Sequence, residues 1–312
     1  MEHSCLDRIF LCNSGAEANE GAVKLARKYG RLHLKGAYEV ITALNSFHGR
    51  TFGMVAATGQ PHYQEAYLPM PDGFKSVAYN DVDALRQAVS DKTCAIMLEP
   101  IQGEGGVIVP DEGYLEKVRE LCDEMGLLLM FDEIQTGVGR LGTLFGYQTL
   151  AVEPDVMTLA KGLGGGVPVG AILAKDPAAV FTPGDHGSTY GGNPLMCAVA
   201  HAVVKYVIEK HVLTNVRTQG DRLMAGLQKI REELPFVAQV RGRGLLQAMQ
   251  FTQDISGDAL TACLQNGLLV NAVRPNALRF MPPLVVTSAE VDEGLQKLRR
   301  SLQKVGADKK LM

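Results

Sequence analysis

The run Leu127-Leu128-Leu129-Met130-Phe131-Asp132, followed by Glu133-Ile134-Gln135-Thr136-Gly137, decides the fold class. Five consecutive apolar residues are too few for an independent helix and read as a strand buried on both faces of a parallel sheet. The run then ends in an acid. Open α/β sheets bind ligands outside the carboxyl ends of their strands, so Asp132 arrives where a site would form. Taken alone, an aspartate there is as readily a turn residue. Its meaning depends on what the other strand ends carry.

Upstream, residues 94–99 (Cys94-Ala95-Ile96-Met97-Leu98-Glu99) form a second buried run leading into Pro100-Ile101-Gln102-Gly103-Glu104-Gly105-Gly106. Glu104 thus sits in a glycine-rich loop, expected at the same sheet edge as Asp132. Between the two runs, Leu115, Val118, Leu121, Cys122 and Met125 recur at helical spacing, with Asp111 placed as N-cap and Gly126 as stop. Strand, helix and strand make a unit whose crossover is right-handed. Downstream, residues 154–161 form an apolar run ending in Lys161, followed by Gly162-Leu163-Gly164-Gly165-Gly166. A lysine that ends a strand-like run is not there for solubility. Lysine is the standard amine for Schiff-base chemistry and becomes nucleophilic only when its proton, held with a reference pKa of about 10.4, is lost. Residues 169–174 read as a further strand. Residues 186–194 (His186-Gly187-Ser188-Thr189-Tyr190-Gly191-Gly192-Asn193-Pro194) read as a loop of small residues with hydroxyl donors.

Near the start, residues 7–12 form a short strand ahead of Asn13-Ser14-Gly15-Ala16-Glu17-Ala18-Asn19. Ser14 with Glu17 three residues later has the form of a capping box, Ala18, Ala22, Leu25, Ala26 and Tyr29 make an apolar stripe, and Gly30 reads as the stop. A helix start presents unpaired N–H groups and about half a positive charge, a seat for a phosphate as well as an ordinary cap. Residues 40–43 form the next strand, opening into a loop where Phe47, His48 and Arg50 crowd around Gly49. Residues 60–81 look irregular and 83–89 form a short helix. Residues 196–210 make one long amphipathic helix, a hinge between domains. Beyond it come a helix near 221–233, strands near 244–251 and 268–273, and a final helix over 288–305. Arg279 interrupts the apolar segment Leu278-Arg279-Phe280-Met281. The reading is one domain over 1–195 and a smaller α+β domain over 196–312.

The chain has 312 residues, 46% hydrophobic and 21% charged, with ordinary globular composition. A net charge of −3 gives no sign of a nucleic-acid or anionic-membrane partner. Six scattered cysteines, without a CxxC pair or histidines at metal-ligand spacing, read as reduced thiols, and no metal is expected. No apolar run reaches the length of a membrane span and the N-terminus lacks a signal-peptide pattern, which gives a cytoplasmic expectation.

A phosphate-type helix start, an acid at one strand end and a lysine 29 residues later at another match the needs of pyridoxal 5'-phosphate (PLP). The motifs NSGAEAN (13–19), SFHGRT (46–51), EPIQGEGG (99–106), FDEIQTGVGR (131–140), LAKGLGGGVPVGA (159–171) and HGSTYGGNP (186–194) resemble the class III, ornithine-type aminotransferases of PLP fold type I, nearly end to end. Within that family the acetylornithine branch is most similar. The resemblance implies an aspartate aminotransferase-like large α/β domain with a mostly parallel sheet. It implies transfer of the δ-amino group of N-acetylornithine to 2-oxoglutarate, with ornithine, 4-aminobutyrate or succinylornithine as alternative donors. By the same resemblance Lys161 carries the cofactor and moves protons, Asp132 pairs with the ring nitrogen and Gln135 meets the ring hydroxyl. Ser14, Gly15 and Ala16 bind the phosphate, Phe47 stacks on the ring, and Ser188 and Thr189 belong to the loop that reaches a partner subunit's cofactor in a homodimer. Arg50 and Arg279 match the substrate-facing guanidiniums, with Glu104 pairing Arg279 when no carboxylate is bound. Family members carry a substantial segment before the NSGAEAN motif, whereas twelve residues precede Asn13 here. That leaves the PLP-binding set complete and the substrate-binding set short, so a PLP-binding protein without catalysis is the competing reading.

Overall fold

Apolar runs and apolar stripes alternate along the first two-thirds of the chain, and that alternation produces strands separated by helices. The computed structural model describes residues 1–311. In it β1 (Arg8–Cys12), α1 (Gly15–His33), β2 (Glu39–Ala43), α2 (Phe52–Ala57), β3 (Phe74–Val77), α3 (Val82–Ala88) and β4 (Thr93–Leu98) come first. They are followed by α4 (Tyr114–Met125), β5 (Leu128–Asp132), α5 (Gly146–Leu150), β6 (Val156–Leu159), β7 (Gly170–Ala174) and α6 (Pro194–Glu209). The remaining elements are α7 (Val212–Glu233), β8 (Val237–Arg243), β9 (Leu246–Phe251), α8 (Ser256–Gln265), β10 (Asn271–Arg274), β11 (Ala277–Phe280) and α9 (Ser288–Asp308). No helix among the described residues is long and apolar enough to cross a membrane.

Two compact units emerge. The first comprises Met1–Pro100, Pro110–Val138 and Thr143–Val207; the second comprises Ile101–Val109, Gly139–Gly142 and the chain from Ile208 onward. The division expected at 195/196 differs in two respects: α6 is grouped with the first unit as far as Val207, and two loop segments join the second. Glu104, expected at the sheet edge of the first unit, therefore belongs to the second.

The first unit is built on a seven-stranded sheet in the order β1-β7-β6-β5-β4-β2-β3. β7 alone runs antiparallel to its neighbours, β1 and β6. Every residue of β4, β5, β6 and β7 is buried, which is why these segments read as unbroken apolar runs. On one face Ala18, Ala22 and Ala26 of α1 lie against Val40, Met97, Met130 and Ile172 in a shared core. Each large side chain buried there contributes about 1.5–3 kcal/mol relative to exposure. The helix continues through Gly30 to His33, so Gly30 is not its stop. A Cβ at Gly30 would lie 2.1 Å from the carbonyl oxygen of Ala37 and 2.7 Å from Cβ of Cys94. The glycine lets the chain cross at close range.

The expected capping box is half formed. Ser14 Oγ accepts the N–H of Glu17 at 3.2 Å, but the Glu17 carboxylate turns to the N–H and side-chain amide of Asn13. At α4 the N-cap is Gly113, not Asp111, while Gly126 closes the helix with φ +67°. β3 lies inside the segment read as irregular. It is a four-residue edge strand with its two middle residues exposed, so it carries no apolar signal.

The second unit has an antiparallel sheet, β10-β11-β9-β8, with α7 and α8 packed on its strands and α9 packed on both helices. β8 and α8 were not legible: β8 alternates poorly and shifts register between Val237 and Gln239, and α8 begins without a side-chain cap.

Candidate active site

The carboxyl ends of β1, β2, β4, β5 and β6, all parallel, meet the amino end of antiparallel β7 at one edge of the first sheet. A cavity of about 370 Å³ opens there. Ser14, Gly15 and Ala16 line it from the start of α1, and Phe47 and Arg50 from the loop after β2. Asp132 and Gln135 come from the end of β5, and Lys161 from two residues beyond β6. Ile134 and Glu99, to which the sequence reading gave no role, line it as well.

The turn at the start of α1 is suited to an anion. In any α-helix the first N–H groups lack intrahelical partners, and Ser14 Oγ takes that of Glu17, leaving those of the first residues for a ligand. Gly15 is required by space: a Cβ there would stand 2.7 Å from Cδ1 of Ile134. Gly49, at φ +141°, brings the loop after β2 against Ala16, where a Cβ would come within 2.9 Å of the alanine Cβ.

Asp132 is 3% exposed and faces three donors. Its Oδ2 accepts from Nδ2 of Asn19 at 2.7 Å and is 2.8 Å from Nδ1 of His48; Oδ1 accepts the N–H of Ile134 at 3.1 Å. Because a carboxylate only accepts, Nδ1 of His48 carries the proton. Burial pulls the His48 imidazole down, but the hydrogen bond and charge of Asp132, aided by Glu99, hold it above its ordinary value. Next along the strand, Glu133 points away and accepts the N–H groups of Gly146 and Tyr147, with burial pushing its carboxyl up to about 7.

Lys161 adopts φ +39°, a left-handed conformation that costs a non-glycine residue free energy and that clusters at functional sites. Arg50 stacks 4.0 Å above the ring of Tyr63 and 5.3 Å from that of Phe47. Ser188 and Thr189 do not line the cavity: Ser188 Oγ accepts from Nδ2 of Asn13 and from the N–H of Gly191, both at 3.0 Å, and Thr189 is exposed. Arg279 and Glu104 lie in the second unit and form an ion pair of 2.9 Å.

The sequence reading quoted Asn19 and His48 inside motifs without assigning them work. The signal available for Asn19 was its place on the apolar stripe of α1, where a polar side chain must find a buried partner.

Donors for a phosphate, a lysine amine and a carboxylate held by three donors are the set that PLP requires, and here they line a single cavity. The family model for aminotransferase class-III matches residues 1–302. Acetylornithine aminotransferase from Gloeobacter violaceus is 52% identical over 295 residues, which cover 94% of this chain and 74% of that protein. Among solved structures, ornithine aminotransferase from Toxoplasma gondii, with partial occupancy of PLP at its active site, superimposes with a TM-score of 0.94 at 36% identity, covering 99% of this chain and 75% of that one. N-acetylornithine aminotransferase from Stenotrophomonas maltophilia does so with 0.83 at 39% identity, covering 97% and 76%. With its lysine, carboxylate and anion-binding turn gathered at one sheet edge, the chain belongs to the class-III aminotransferases.

Proposed function

We propose that this protein transfers the δ-amino group of N-acetylornithine to 2-oxoglutarate, giving N-acetylglutamate 5-semialdehyde and glutamate. The observation that carries the reading is the convergence of Lys161, Asp132 and the α1 turn on one cavity. PLP, when bound, supplies an electron sink for the carbon that loses its proton. The chain's residues do the rest. Ser14, Gly15 and Ala16 would hold the phosphate, Phe47 would cover the ring, Gln135 would meet the ring hydroxyl and Asp132 would keep the ring nitrogen protonated. Lys161 Nζ would hold the cofactor at its aldehyde carbon and, once displaced there by the substrate's amine, would be free to take the proton from the substrate carbon that bears the amino group. Arg50 and Arg279 receive the substrate carboxylates, for which a guanidinium offers a bidentate match. Glu104 occupies Arg279 while the amino donor reacts.

We further propose that the protein works in the cytoplasm as a homodimer. Helix α6 supports the dimer: it is largely apolar, yet only Val207 of its sixteen residues is buried, and Leu195 is 67% exposed. Thr189 and Tyr190, both exposed, precede it. In a dimer this face would be covered and Thr189 would serve the other subunit's cofactor. Sedimentation of the protein as a monomer would overturn that part.

The catalytic reading is tested by borohydride reduction of protein incubated with PLP, followed by peptide mapping and single-turnover spectroscopy with N-acetylornithine. The pyridoxyl mass should fall on the peptide containing Lys161, and the amino donor should convert the cofactor in one turnover. Label on Lys24 or Lys175, or no conversion, would overturn it.

A further inference from the structure

Asp132 is gripped from behind by a side chain whose own orientation is fixed. Asn19, fully buried in α1, uses both amide hydrogens: one goes to Oδ2 of Asp132 and one to the carbonyl oxygen of His48, each at 2.7 Å. Its Oδ1 accepts from Oγ1 of Thr158, also at 2.7 Å. Thr158 is the residue that β6 places opposite Asp132 in the sheet register. A flipped amide would set its oxygen against the carboxylate and the His48 carbonyl, so those two acceptors fix its orientation and leave Oδ1 to receive the Thr158 hydroxyl.

Counting lone pairs assigns the two carboxylate oxygens different tasks. Oδ2 takes Asn19 and His48 and is full, whereas Oδ1 takes the N–H of Ile134 alone and keeps one acceptor site. Asn19 also follows Gly15 by four residues, about one helical turn beyond the N–H groups at the head of α1. The helix that presents the anion-binding turn therefore also holds the acid.

We propose that Asn19 is a positioning residue for the cofactor's ring nitrogen: locked by Thr158, it saturates Oδ2 of Asp132 so that Oδ1 receives the ring N–H, and it ties that acceptor to the phosphate turn through α1. This inference rests on the PLP-binding reading above. His48 is the second donor to the same oxygen, and its Nε2, buried without a partner, marks the interior as closed on that side.

The test compares affinity for PLP with affinity for its 1-deaza analogue, in which C–H replaces the ring nitrogen. Both carry the aldehyde and the phosphate, so Lys161 and the α1 turn contribute equally and cancel in the ratio of dissociation constants. The ratio reads the ring-nitrogen contact alone. Wild type should favour PLP. Asn19→Ala should reduce that preference about tenfold, as loss of order around one charge-assisted hydrogen bond implies. Thr158→Val, nearly isosteric, should reduce it about threefold and keeps the test intact if Asn19→Ala fails to fold. An equal loss of affinity for both compounds, with the ratio unchanged, would overturn the inference and leave Asn19 a structural residue. Wild-type protein that binds neither compound would instead overturn the functional reading.

Discussion

Nη1 of Arg279 donates to Oε1 of Glu104 at 2.9 Å, with the arginine side chain 12% exposed and the glutamate 30%. The two residues are 175 apart in sequence, yet each stands as a charge in an otherwise apolar or glycine-rich segment. A pair this sheltered lies between the exposed regime, at about 0–1 kcal/mol, and the buried one, where loss of one partner costs about 3–5 kcal/mol.

Replacing Glu104 by Gln should remove the charge that competes with a substrate carboxylate for Arg279. The variant should accept glutamate as an α-amino donor about tenfold better relative to N-acetylornithine, while its δ-amino half-reaction weakens. Single-turnover absorbance with each donor separates the two. Equal losses in both half-reactions would assign Glu104 to structure, and an unchanged preference would remove the pair from specificity.

Asp132→Ala should retain phosphate-dependent binding of PLP and lose turnover. The expected fall in kcat/KM corresponds to at least about 3 kcal/mol, beyond the roughly 1.5–3 kcal/mol of one hydrogen bond to a charged group. Near-normal turnover in the substituted protein would contradict its assignment to the ring nitrogen.

Stability should decline as pH rises through neutrality. Burial raises the Glu133 carboxyl from 4.5 to about 7, so the folded state binds this proton more tightly than the unfolded chain. Its contribution is full below about 4.5 and is lost as pH climbs through about 7. His48, also raised in the folded state, adds a loss of the same sign that begins above its ordinary value of 6.5. Denaturant unfolding at several pH values should show the decline, and Glu133→Gln should flatten it while lowering overall stability, since an amide cannot accept from both Gly146 and Tyr147. A parallel pH profile in the variant would rule Glu133 out as its source.

Gly30→Ala ordinarily strengthens a helix by about 0.8–1.0 kcal/mol. Here it should destabilise the protein by about 1–3 kcal/mol, because the added methyl meets the Ala37 carbonyl and Cys94. A raised urea midpoint would show that the crossing of chains can relax.

How legible each part was follows from how local its cause is. β4, β5 and β6 could be read because burial on both faces writes a continuous apolar run, and Asp132 and Lys161 could be found because they end or closely follow such runs. Gly30 was misread because its reason is a neighbouring segment, not its own helix. The antiparallel direction of β7 left no trace in composition. Asn19 and His48 reach Asp132 across 113 and 84 residues of sequence, and nothing in their immediate surroundings says so. Local pattern therefore delivered the candidate acid and lysine, while the side chains bonded to that acid waited for the fold.

Because the cavity draws its lining from turns that follow five different strands, cofactor capture would act as a check on assembly of the sheet. β1, which precedes the phosphate turn, joins the sheet through β7 and β6, so the turn and the lysine reach the edge that carries the acid together. Cofactor that binds the folded state in preference to the unfolded chain draws the population toward it by mass action. The yellow colour of the bound cofactor would then count correctly assembled molecules, and its supply would govern how much newly made chain escapes degradation.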